Sequence, residues 1–109
     1  MLSAGGSFAG QWRALQPALL EALGRAAVAA VQDAMLTRYP QPVWETGALY
    51  HSVTHHVEGD RVVIHTDLPY AALVHQGTAR MPARPYMTDG IRALFESGGA
   101  VAALRDVLP

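Results

Sequence analysis

The chain has 109 residues, which fits one domain with one core and leaves no room for two. Half of the residues are hydrophobic and 16% are charged, so wholesale disorder is excluded. A formal net charge of −1 excludes a strong whole-molecule pull toward nucleic acid or an anionic membrane. Without cysteine there is neither a disulfide framework nor a thiolate metal site.

Residues 1–7 are small and read as a frayed terminus. A helix follows. Phe8, Trp12, Leu15, Leu19, Leu23, Ala26 and Ala30 recur at spacings of three and four, which makes one apolar stripe. Pro17 interrupts it. Either the helix kinks there, or the main helix begins with Pro17 in its first turn. The most apolar stretch, Leu15 to Leu36, carries Glu21, Arg25 and Asp33. It lacks the ~18 uninterrupted apolar residues of a membrane span. The first residues also lack the basic-then-apolar order of a signal peptide. Trp12 is expected in the core, and Trp44 over a sheet edge. Tyr39-Pro40-Gln41-Pro42 ends the helix.

The middle of the chain is rich in β-branched residues. Ser52–Val57 and Arg61–Thr66 read as two strands joined at Gly59-Asp60. A two-residue turn pairs Glu58 with Arg61, Val57 with Val62, His55 with Ile64 and Val53 with Thr66. One face then carries Val53, His55, Val57, Val62 and Ile64 and is expected against the long helix. The other carries Ser52, Thr54, His56, Val63, His65 and Asp67. Tyr70 to Val74 reads as a third short strand. Gln76 to Arg84, with a glycine and a proline, reads as a loop. Pro85 opens a helix whose apolar face carries Met87, Ile91, Leu94 and Phe95. After Ser97-Gly98-Gly99, a last amphipathic stretch carries Val101, Leu104 and Leu108. The expected fold is α+β. A long N-terminal helix and a C-terminal helix pack on a small antiparallel sheet.

No catalytic constellation emerges. The chain has no nucleophile elbow, no lysine for a phosphate loop and no His-Glu-x-x-His. All five histidines lie between His51 and His75. His56 and His65 fall on diagonal positions of one hairpin face near Asp67. A histidine-based metal-binding module is therefore the alternative of another class, although a metal needs three or four converging ligands. A dimeric binding module built on the long helix is a third. In the loop, Arg80 and Arg84 flank Met81-Pro82-Ala83 and suit a partner's carboxylate or a phosphate. His75, Gln76, Arg80, Met81 and Arg84 are the candidate partner-binding residues.

Three segments carry a resemblance. Thr46-Gly47-Ala48-Leu49-Tyr50-His51-Ser52-Val53 resembles a Thr-Gly-x-Leu-x-x-Ser-Ile pattern. Tyr70-Ala71-Ala72-Leu73-Val74-His75-Gln76-Gly77-Thr78 resembles Tyr-Ala-x-x-Val-Glu-Phe-Gly-Thr. Met81-Pro82-Ala83-Arg84-Pro85-Tyr86-Met87 resembles x-Pro-Ala-x-Pro-Phe-Leu. In this order, over about residues 40–92, they resemble the tail-completion or minor tail (head–tail joining) family of tailed bacteriophages. Its functional relatives include the lambda Z-type protein.

The resemblance implies a structural protein of the virion, in the tail or neck, assembled in the bacterial cytoplasm. Its partners would be other tail or neck proteins. Some such proteins act as oligomeric rings. The resemblance implies no enzyme activity and no cofactor, and the hydropathy and charge of the chain lead us to expect no membrane and no specific nucleic-acid binding. A tail terminator or a head-side stopper is the near alternative. His75 and Gln76 depart from the family's glutamate and aromatic residue.

The motif residues also have physical roles. Gly47 is expected to turn the chain into the first strand, and Gly77 to let it leave the third segment sharply. Tyr70 and Val74 are expected to anchor that segment to the core. Pro82 and Pro85 stiffen the loop.

Overall fold

A computed structural model describes residues 6–40, 42–43, 47–79 and 82–107, and in the first helix the side chains from Arg13 onward. The expectations for the side chains of Phe8 and Trp12, and for Trp44, Thr46, Arg80, Met81 and Leu108, lie outside the described residues and side chains.

The fold is α+β. Helix α1 (Gly6–Thr37) is followed by the short helix α2 (Ala48–Ser52) and by strands β1 (Thr54–Glu58) and β2 (Arg61–His65). Helices α3 (Ala71–Gln76), α4 (Tyr86–Glu96) and α5 (Gly99–Arg105) complete the chain.

Alanine and leucine favour helix through α1, and the helix runs through Pro17 without ending. The reading of Pro17 as the start of the main helix therefore gives way to one continuous helix. It already includes Gly6 and Ser7, which the sequence placed in a frayed terminus. By length and average composition Arg13–Thr37 could cross a membrane, a test that core helices of soluble proteins also pass. Here the C-terminal half of α1 forms the core. Val31 and Met35 are fully buried, at about 1.5–3 kcal/mol each for apolar side chains removed from water. After Thr37 the chain turns back, and the Val43 N–H bonds to the Met35 carbonyl at 2.6 Å.

The apolar stripe is wider than the sequence suggests. Leu19, Ala22, Ala27, Val31, Ala34 and Met35 are its most buried members, whereas Leu15, Leu23, Ala26 and Ala30 are half-buried. The reason is that α1 is covered on two sides, by the hairpin and by α4 with α5.

The hairpin register is the expected one. Glu58 pairs with Arg61, Val57 with Val62, His55 with Ile64 and Thr54 with His65. Gly59 takes the positive φ (61°) that the tight turn needs. His55 and Ile64 face α1, as expected. The ladder stops at Thr54, so the expected Val53–Thr66 pair is not part of it. Val53 is instead buried in the core, and the Ser52 and Thr66 hydroxyls hydrogen-bond across the strand ends.

Two short segments differ from expectation. Gly47 (φ 83°) opens helix α2 and not a strand, and sends Leu49 fully into the core. The Tyr70–Val74 stretch is helix α3, not a third strand. Its buried residues, Ala71 and Val74, lie three apart, which is helical spacing. A short apolar run satisfies either period, and the helix-favouring Ala71 and Ala72 tip this one to helix.

In α4, Tyr86, Gly90 and Leu94 are buried and Phe95 is 60% exposed. In α5, Ala100 is the buried residue, while Val101, expected on the apolar face, is 57% exposed. One core cluster gathers Val31, Met35, Val43, Leu49, Val53, Ala71, Val74 and Tyr86. A smaller one joins Ala27, Leu94 and Ala100.

Candidate partner-binding surface

The three motif segments meet in space, and each sends residues into the core. Leu49, Ala71, Val74 and Tyr86 belong to the same core cluster, with Tyr70 packed against it. Polar bonds tie the segments together. The Tyr86 hydroxyl donates to the Ala71 carbonyl at 2.8 Å, and the Arg84 N–H donates to the Val74 carbonyl at 3.0 Å. Ser52 Oγ donates to the Leu49 carbonyl at 2.7 Å, closing the last turn of α2. Gly77 ends α3 at φ 80°, and its N–H reaches the Leu73 carbonyl at 2.8 Å. The sharp exit expected at Gly77 is therefore present. Pro85 precedes the first turn of α4. Pro82 and Thr78 are exposed on the connecting segment.

Of the candidate partner-binding residues, Arg84 is a correction. It is only 3% exposed, and its Nη1 donates to the Pro42 carbonyl at 3.1 Å. The guanidinium ties the α3–α4 connection to the segment after α1 instead of reaching solvent. A buried arginine needs such partners, because a buried charge without them is costly. Arg80 and Met81 lie outside the described residues.

His75 and Gln76 remain at the surface. Gln76 is exposed. His75 is half-buried, with its ring edge-on to Tyr86 at 5.3 Å between centroids, and Thr88 Oγ1 lies 3.5 Å from its Nε2. Both line an open groove of about 510 Å³, whose walls include Thr66, Leu68, Ala72 and Met87. Apolar walls with a few polar groups suit a partner's side chains.

Two tyrosine hydroxyls, those of Tyr39 and Tyr86, are held protonated. Burial, the hydrogen bond to Asp89 (2.7 Å) and that carboxylate's charge push the Tyr39 hydroxyl well above the ordinary tyrosine range. Burial first, and then Tyr70, push the Tyr86 hydroxyl up.

The histidine cluster divides between two faces. On the inner face His55 Nε2 meets Glu21 Oε2 at 3.1 Å. On the outer face the rings of His56 and His65 lie 4.9 Å apart, edge to face. Each has its own carboxylate: Glu58 lies 3.2 Å from His56 Nε2, and Asp67 lies 3.7 Å from His65 Nδ1. Among the described residues no three histidine or carboxylate side chains converge into a metal-holding group.

Compared with protein-family models, curated proteins and solved structures, the chain matches none.

Proposed function

We propose that the protein is a structural component of a tailed bacteriophage or prophage, acting at the upper tail or head–tail junction through protein–protein contacts. The observation that carries this reading is the ordered run of three motif segments, from Thr46-Gly47 through Tyr70–Thr78 to Pro82–Tyr86. Support comes from the division of labour among those segments. Their apolar members, Leu49, Ala71, Val74 and Tyr86, share one core. The residues left at the surface, His75 and Gln76, border an open groove. A binding surface mounted on a rigid scaffold suits an assembly role. Tail terminator and head-side stopper are neighbouring positions for the same kind of contact.

Mass spectrometry of purified particles and of separated heads and tails tests the reading. The chain is expected in tails or joined particles. Its absence from every fraction, while it is made in the cell, contradicts a virion role.

A further inference from the structure

The hairpin is one strand too narrow for the helices beneath it. Neighbouring strands lie about 4.8 Å apart and packed helices about 8–10 Å apart. Two strands therefore cover one helix. Here α1 and α4 pack side by side, and the hairpin lies on α1. What is left is an apolar cleft of about 180 Å³ beside β2, between Val62 and Ile64 on one side and Ile91 and Phe95 on the other, with Leu23 on α1 also lining it. No residue of β1 lines it.

The backbone beside this cleft is also open. In a hairpin closed by a two-residue turn, the flanking pair exchanges both hydrogen bonds, and bonded and non-bonded pairs then alternate. With Glu58 opposite Arg61, residues Arg61, Val63 and His65 direct their N–H and C=O groups at β1. Val62 and Ile64 direct theirs away from it. Among the described residues no third strand lies on that side. So the two residues whose backbone groups face outward are those whose side chains line the cleft.

We propose that the outer edge of β2 and the cleft beside it form a docking site for an extended segment of a partner protein, which adds as a third strand. The unpaired N–H and C=O groups call for a strand, since only an extended backbone satisfies both of each residue. The cleft sets the side-chain pattern. Residues opposite Val62 and Ile64 place their side chains into it and are aliphatic, and their neighbours face solvent and are polar. About five residues span the strand. This site is separate from the groove at His75 and does not depend on the phage reading.

The test uses the full-length protein, nuclear magnetic resonance and the peptide acetyl-Lys-Thr-Val-Thr-Val-Thr-Lys-amide. A control peptide carries N-methyl groups on both valines, which removes the donors that would bond to β2. The expected result is slowed amide exchange at Val62 and Ile64 and shifted ring signals of Phe95 with the first peptide, and neither with the control. Phe95→Asp, at an exposed position, is expected to abolish the response while leaving the Arg61, Val63 and His65 amides protected. No response up to the solubility limit of the peptide overturns the proposal, as does a response elsewhere on the molecule. Concentration-dependent protection of Val62 and Ile64 without peptide overturns it too, because the occupant is then a second copy.

Discussion

Gly90 of α4 rests directly on Val31 of α1, where a Cβ on residue 90 would lie 2.5 Å from the Val31 Cα. The two backbones touch at the point where the C-terminal helices are fastened to the core. Gly90→Ala must push them apart, because backbone cannot step aside as a side chain can. The expected cost is about 1–3 kcal/mol, typical of an overpacked core, read as a lower urea midpoint. An unchanged midpoint would show that α4 is not seated where the structure has it.

Gly24 meets His55 more gently. Its Cβ would lie 2.3 Å from His55 Cδ2, but the obstacle is a side chain. Gly24→Ala is expected to destabilise the native protein. In a His55→Ala background most of that cost should vanish, giving a coupling of about 0.5–3 kcal/mol in a double-mutant cycle. Additive effects would mean that the hairpin does not lie on this turn of α1.

Arg84→Ala is expected to weaken the fold itself. The Pro42 carbonyl loses its donor, and a partner lost at a part-buried site costs about 1–3 kcal/mol. Gln76→Ala is the contrasting variant, since Gln76 is exposed. It should leave the melting temperature unchanged. Equal melting temperatures for the two variants would contradict the inward placement of Arg84.

Alkaline pH should unfold the protein early. Tyr39 and Tyr86 bind their protons more tightly in the folded chain than an ordinary tyrosine, whose pKa is 10.0. Stability from this source is therefore complete below about pH 10 and declines as pH rises above it, because the unfolded chain ionises first. Tyr39→Phe should flatten part of that decline in urea titrations at successive pH values. An identical slope in wild type and variant would remove Tyr39 from the account.

How much was legible in the sequence follows from how local each signal is. The hairpin was readable residue by residue, because the two-residue turn at Gly59-Asp60 sets every pair from Glu58–Arg61 to Thr54–His65. The end of α1 at Thr37 was readable from the prolines beyond it. Helix α3 was not, since Tyr70–Val74 is too short for its period to decide between helix and strand. Arg84 was misread for a different reason. Its acceptor, the Pro42 carbonyl, lies 42 residues away, and no local pattern announces a bond of that span. At the candidate surface, His75 and Gln76 stood out as departures from the family pattern. The cleft beside β2 did not, because it exists only where β2, α4 and α1 come together.

The most direct test of an assembly role is electron microscopy of particles induced from a strain that lacks this gene. The account predicts full heads separate from unjoined or malformed tails, with joined particles restored when the gene is supplied in trans. Normal tailed particles in normal number would contradict it.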